Sequence, residues 1–156
     1  MIISHIVAVG LNGVIGNEGQ LPWHVPEDLQ RFKALTMNKT LIMGRVTFQG
    51  LPKKLEGRRI IVVSRKYKVL EGAEVVSSLE EAIARCAHDN DEIFIAGGET
   101  LYRKSMSMTN RVYLTEIAMR PSGDSFYPLA QLSEFSLAVR AESADPQVVC
   151  YKTLNR

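Results

Sequence analysis

Ile93-Phe94-Ile95-Ala96-Gly97-Gly98-Glu99-Thr100-Leu101-Tyr102 reads as a strand that turns on two glycines into a helix. Its apolar residues run on without polar alternation, as in a strand covered on both faces. The strand is expected over Ile93–Ala96 and the helix over Glu99–Ser107. The same grammar recurs at Thr40–Gly44 (TLIMG), which opens into a short helix over Arg45–Leu51. Outward from these two units, apolar strands are expected at Ile2–Val9, at Arg58–Arg65 with its core IIVVS, at Glu74–Val76 and at Arg111–Ile117. Ser78-Leu79-Glu80-Glu81 fits a capping box that starts a helix running to about His88. Phe135–Glu142 and Val148–Leu154 read as a closing pair joined by a loop with Asp145 and Pro146. Alternating strands and helices indicate an α/β fold. One domain over residues 1–156 is expected, with a central, mostly parallel, eight-stranded twisted sheet, an antiparallel C-terminal edge strand and about four flanking helices.

Composition bounds the function classes. The chain is 46% hydrophobic and 23% charged, ordinary for a globular protein. A net charge of +2 gives no support for a nucleic-acid surface, while leaving room for a small anionic ligand. Cys86 and Cys150 are far apart and form no CxxC pair, so neither a disulfide framework nor a zinc site is indicated. His5, His24 and His88 have no ligand spacing, and no metal is expected. The apolar start lacks a basic leader and ends at strand length, and no stretch approaches the ~20 apolar residues of a membrane span. The cytoplasm is the default expectation.

Chemistry concentrates in Leu21-Pro22-Trp23-His24-Val25-Pro26-Glu27-Asp28-Leu29-Gln30-Arg31-Phe32. Pro26 signals the entry to a helix expected from about Glu27 to Met37, with Leu29, Phe32 and Leu35 marking its buried face. Asp28 borders that face. A buried ionised carboxylate is costly without a partner, and no Lys or Arg of the helix is an obvious one. It therefore reads as waiting for a cationic or proton-donating ligand. Glu27 reads as a simple complement to the helix dipole. Ahead of this segment, Gly10–Trp23 holds Gly10, Gly13, Gly16 and Gly19 and is expected to be a long irregular lid.

The turns Gly44-Arg45-Val46-Thr47 and Gly97-Gly98-Glu99-Thr100 present free N–H groups at strand ends, where the phosphates of a dinucleotide bind in parallel sheets. Neither is a GxGxxG fingerprint. Arg45 and Arg65, beside Ser64 and Lys66, form a candidate grip for a 2′-phosphate, because guanidinium matches phosphate in two-pronged fashion. A Thr within a strand is ordinarily a propensity choice, but a buried Thr115 would need a partner, and Asp28 is a candidate.

Taken together, Val14-Ile15-Gly16, Leu21-Pro22-Trp23, Asp28, Phe32, Met43-Gly44-Arg45-x-Thr47, Gly57-Arg58, Ala96-Gly97-Gly98 with Tyr102, Tyr113-Leu114-Thr115, and Gly123-Asp124 with Pro128 resemble the dihydrofolate reductase family, bacterial chromosomal type, along essentially the whole chain. The resemblance implies reduction of dihydrofolate by NADPH, with a monomer and possible antifolate inhibitors as further expectations. It implies that Asp28 holds the pterin's N3 and 2-amino edge, that Thr115 bonds that carboxylate, and that Trp23 and Leu21 act beside it. Ile6, Val7 and Ala8 would line the pterin pocket with Tyr102, with Val7 and Ala96 offering backbone carbonyls. Leu29, Phe32 and Leu51 would contact the aminobenzoyl part, and Arg58 the tail's α-carboxylate. The cofactor would meet Ala8, Ile15, Gly16 and Leu21 on its nicotinamide side. Gly44, Arg45, Val46, Thr47, Val63, Ser64, Arg65 and Lys66 would hold it at one turn. Ala96, Gly97, Gly98, Glu99, Thr100 and Leu101 would do so at the other, where the family's Gly-Gly bond is cis. Gly123 and Asp124 would brace the closed lid.

The chain departs from the commonest pattern at Leu21 (often Met), Val46, Gln49–Lys54, Glu99 (a third Gly) and Val149. A pyrimidine reductase of riboflavin synthesis and a non-catalytic pterin-binding module are the rival readings. Trp23, Asp28, Phe32 and Arg58 argue against the first, and the hydride-side loop retained with Asp28 against the second.

Overall fold

In the computed structural model, which describes residues 1–88 and 92–156, eight strands form one sheet in the order β5-β4-β3-β6-β1-β7-β10-β9. Along the chain these are β1 (Ile2–Gly10), β3 (Thr40–Gly44), β4 (Arg59–Val63), β5 (Glu74–Val76), β6 (Glu92–Ile95), β7 (Arg111–Ile117), β9 (Ser136–Ala141) and β10 (Val148–Asn155). Every pairing from β5 to β7 is parallel, and β10 runs antiparallel to both β7 and β9. Two further short strands, β2 (Val14–Gly16) and β8 (Ser125–Phe126), pair with each other away from the main sheet. The helices are α1 (Pro26–Thr36), α2 (Arg45–Gln49), α3 (Leu79–Arg85) and α4 (Glu99–Ser105). No helix among the described residues is long and apolar enough to cross a membrane.

The sheet is buried on both faces because successive side chains of each central strand enter different cores. Ile42, Ile61, Ile93 and Ile95 pack on one side with Leu79 and Ala82 of α3 and Leu101 and Tyr102 of α4. Leu41, Met43, Ile60, Val62 and Phe94 pack on the other, against Phe32 and Leu35 of α1 and Phe48 of α2. His5 lies fully buried in the first layer. Its Nε2 is 2.7 Å from Ser105 Oγ and 2.9 Å from Thr109 Oγ1, and its Nδ1 is 2.8 Å from the Tyr127 hydroxyl. Ser105 and Thr109 spend their own protons on the carbonyls of Leu101 and Ser105. Nε2 therefore carries the ring proton, and Tyr127 donates to Nδ1.

Several boundaries differ from the sequence reading. Leu29 is 44% exposed, and Phe32 and Leu35 are only half buried, so α1 turns an open apolar face over the strand ends instead of a closed one. Thr36 is the buried residue of α1, its hydroxyl bonded back to Phe32 O at 2.7 Å. The stretch 10–23 is not wholly irregular, since β2 lies within it; two- and three-residue strands leave no periodic signal. α2 stops at Gln49, and α4 at Ser105, where a 3₁₀ turn over Met106–Met108 takes over. Ser78 Oγ accepts the Glu81 N–H at 3.1 Å as expected, but the Glu81 carboxylate reaches back to Ser77 N instead of Ser78 N.

Candidate active site

The carboxylate end is built by α1 and β7. Thr115, buried in β7, donates its hydroxyl to Asp28 Oδ1 at 2.7 Å. Burial pushes the Asp28 carboxyl above its ordinary value, while the Thr115 bond and the charge of Arg31 pull it back. No cation lies within ion-pair distance of Asp28 among the described residues, so the group is one charge short of a partner. Arg31 stacks over the Tyr151 ring at 4.5 Å and acts on Asp28 only through its field. Glu27 does more than complement the helix dipole. It accepts from the hydroxyls of Ser143 and Tyr151, the latter at 2.6 Å, and from Ala144 N at 3.3 Å, fixing α1 to the loop between β9 and β10. Trp23 is buried with Val25, Ile117, Val148 and Tyr151, against Ala8. Its indole N–H has no hydrogen-bond partner among the described residues, and a buried donor of that kind calls for an acceptor.

Apolar walls lead away from this point. Ile6 and Val7 are buried in β1, and Phe32 and Leu51 lie half buried on the second core layer. β1 pairs with β6 only as far as His5, so the next carbonyl on that edge, that of Ile6, is released from the ladder. The Tyr102 hydroxyl donates to it at 2.7 Å. Carbonyls alternate along a strand, so the one facing this opening is Ile6's and not Val7's, and Val7 stands opposite Leu114 of β7. Arg58 lies beyond α1. Its Nε donates to Glu56 O at 3.0 Å and its Nη1 approaches Thr36 Oγ1 at 3.4 Å, with no carboxylate in ion-pair range among the described residues.

The two glycine turns meet at the carboxyl ends of β3 and β6. Gly44 N donates to Gly97 O at 2.8 Å, and the Gly97–Gly98 bond is cis. Gly97 has φ +109°, a conformation that side chains rarely adopt. Next to them, at the ends of β3 and β4, three cations gather. Arg45 lies 5.3 Å and Lys66 5.7 Å from the Tyr67 ring centre, and Arg65 is exposed. Lys66 and Arg45 thus share the Tyr67 ring, with Arg65 next to Lys66 in the chain. Arg45 is also bonded to Gln49 Oε1 at 2.9 Å. Ser64 Oγ accepts from the N–H groups of Lys66 and Tyr67, which leaves its proton free to donate. Val63 is half buried, while Val46 and Thr100 are exposed. Leu101 is buried in the core, so only its backbone faces the turn. The Glu99 carboxylate points away, to Phe126 N at 2.8 Å and Arg103 Nε at 2.9 Å.

The segment 16–21 closes the arrangement. Asp124 Oδ2 accepts from Glu18 N at 3.0 Å, and Asp124 N donates to Gly16 O at 3.1 Å. The tip rests on the end of α2. A Cβ placed on Gly50 would lie 2.5 Å from Gly19 O, so Gly50 is required for that close approach. Ile15 is half buried and Leu21 is 55% exposed. Arg31, Tyr67, Tyr151 and Tyr127 are site or support residues that the sequence reading passed over. Only Arg31 carried a signal, its i+3 spacing from Asp28.

The dihydrofolate reductase family profile matches residues 2–156. The chain is 43% identical over 129 residues to the dihydrofolate reductase type 3 of Salmonella typhimurium, covering 82% of this chain and 79% of that one. It is 41% identical over 142 residues to the dihydrofolate reductase of Neisseria meningitidis serogroup A, covering 90% and 87%. Among solved structures, the dihydrofolate reductase of Enterococcus faecalis complexed with NADP(H) and RAB-propyl superimposes with a TM-score of 0.89 at 32% identity, over 99% of this chain and 96% of that one. With a match along its whole length, a shared fold and its glycine turns and carboxylate in place, the chain belongs to the dihydrofolate reductase family.

Proposed function

We propose that this protein reduces 7,8-dihydrofolate to 5,6,7,8-tetrahydrofolate at the expense of NADPH, acting as a cytoplasmic monomer. The observation that carries the reading is Asp28: a carboxylate raised by burial, bonded to Thr115 and without a cation in ion-pair range among the described residues, on a helix whose apolar residues Leu29, Phe32 and Leu35 stay partly open. Such a group suits a ligand that offers two adjacent N–H donors, as the N3 and 2-amino edge of a pterin does.

The donor set at the strand ends fits NADPH. Arg45, Arg65 and Lys66 have no carboxylate in ion-pair range among the described residues, and they adjoin the joined turns Gly44 and Gly97–Gly98. When bound, the cofactor supplies the hydride that adds to pterin C6. Arg45, Lys66 and Arg65 hold its 2′-phosphate, and the N–H groups following Gly44 and Gly98 hold its diphosphate. Ile6 and Ala96 present carbonyls to the pterin edge, with Tyr102 bracing Ile6. Phe32, Leu29 and Leu51 wrap the aminobenzoyl ring, and Arg58 pairs with the α-carboxylate of the tail.

Asp28 binds the ring edge remote from N5, so it does not pass a proton there directly. Its negative charge favours protonation at N5, and the free indole N–H of Trp23 orders the water that delivers the proton. Segment 16–21, held by Asp124, excludes bulk water from the transfer. Diaminopyrimidine antifolates, which present the same paired donors, would compete at Asp28. Loss of nicotinamide absorbance when the protein is mixed with dihydrofolate and NADPH, absent with either alone, tests the reading. A pyrimidine reductase would instead consume NADPH with an aminopyrimidine ribose substrate.

A further inference from the structure

Glu99 is the residue directly after the Gly97–Gly98 pair and the first of α4. Its Oε1 accepts the backbone N–H of Phe126 in β8 at 2.8 Å, and its Oε2 accepts Arg103 Nε at 2.9 Å. β8 is paired with β2, Val14 opposite Phe126 and Gly16 opposite Ser125. The next residues along, Asp124 and Glu18, are joined by the bond from Glu18 N to Asp124 Oδ2. A short path therefore runs from the glycine turn through one side chain into the ribbon that carries segment 16–21. An anion at the turn repels a carboxylate that swings back toward it, and it is least disturbed when that carboxylate stays on Phe126 N with Arg103 neutralising it. Occupancy of the turn and attachment of β8 thus favour each other, and the coupling is reciprocal.

We propose that Glu99 is a positioning residue that couples the Gly97–Gly98 turn to segment 16–21, its carboxylate holding β8 in place while an anion occupies the turn. The inference rests on the reading of that turn as part of the NADPH site. Glu99→Gln keeps an oxygen for Phe126 N and drops the charge, whereas Glu99→Ala removes the attachment altogether.

The test is amide hydrogen exchange on the unmodified protein and both variants, free and saturated with NADPH, with binding followed by fluorescence of Trp23, the chain's one tryptophan. In the free proteins, Glu99→Ala should exchange faster at the Phe126 amide by roughly tenfold, the loss of one hydrogen bond to a charged group. NADPH should slow exchange at the Glu18 amide in the unmodified protein, and much less both in Glu99→Gln, which keeps the attachment but lacks the charge that the anion repels, and in Glu99→Ala, even at saturation. Slowing at Glu18 in Glu99→Gln or Glu99→Ala equal to that in the unmodified protein overturns the coupling. If the unmodified protein shows no fluorescence response to NADPH, the cofactor reading falls and the coupling with it, whereas binding without a difference at Glu18 overturns the coupling alone.

Discussion

Thr115 Oγ1 gives its proton to Asp28 Oδ1 across 2.7 Å, so a residue deep in β7 fixes a carboxylate on a helix whose inner face stays open. The two effects on Asp28 oppose each other. Burial disfavours its charge and the hydroxyl favours it, with burial the larger. A folded protein that keeps this group charged at neutral pH gives up stability for it, and the return is a charge aimed at a ligand.

Asp28→Asn should lower hydride transfer at neutral pH by about 10²–10⁴-fold, with partial recovery in acid as the substrate itself protonates. The same variant should be more stable than the parent at pH 7. The sign follows from the raised folded value: the burial penalty is felt while Asp28 is ionised, fades as pH falls through that value, and is gone below the ordinary 3.8. Chemical denaturation of both proteins at pH 7 and in acid checks this. An Asn variant with parental turnover would remove Asp28 from the chemistry.

Thr115→Val should shift the acid limb of the rate profile to higher pH, because the bond that favours the carboxylate is lost, and Thr115→Ser should restore it. Parallel profiles for Val and the parent would mean that the hydroxyl only fills space.

The α/β order, the central strands and the four helices were legible because each rests on a local pattern: continuous apolar runs, glycine at strand ends, Pro26 and Ser78 at helix starts. The Thr115–Asp28 bond was legible as a need for a partner. Contacts made across the sheet were not. Glu27 looked like a dipole complement because Ser143 and Tyr151 are more than a hundred residues away in sequence. His5 looked like a strand residue, since nothing nearby names Tyr127 or Ser105 as its partners. The open face of α1 was misread because periodicity reports which side is apolar and not whether protein or ligand covers it.

Arg58→Ala should weaken dihydrofolate binding by roughly 10–100-fold, the range for a hydrogen-bonded charge at ~1.5–3 kcal/mol, and leave NADPH binding nearly unchanged. Its bonds to Glu56 O and Thr36 are long or local, so folding should be little affected. Dissociation constants for a pterin with and without the glutamate tail check the assignment. Equal losses for the two would give Arg58 another role.

Replacing Arg45 and Arg65 together with neutral residues should weaken NADPH and barely alter NADH, with the difference shrinking at higher salt. Lys66, held at Tyr67, should preserve part of the preference, so a triple replacement including Lys66 should go further. Unchanged selectivity in the triple variant would mark all three as solvated charges.

His5→Leu should cost about 1–3 kcal/mol at pH 7, because the Tyr127 hydroxyl loses its acceptor. Burial and the charge of Arg156 push His5 down to about 3. Between pH 6.5 and that value the unfolded chain takes a proton that the folded one refuses, so the parent loses about 1.4 kcal/mol per pH unit as pH falls. The variant lacks that slope, and the gap between the two proteins should narrow by pH 5. A gap that widens in acid would show that folded His5 is charged.

The most direct test follows nicotinamide absorbance after NADPH and dihydrofolate are mixed with the unmodified protein and with Asp28→Asn. Rapid catalytic loss of absorbance with tetrahydrofolate as product is expected in the first, and a rate lower by about two or more orders of magnitude at neutral pH in the second. Saturable binding of both ligands to the unmodified protein, with no oxidation of NADPH, would contradict the proposed reaction.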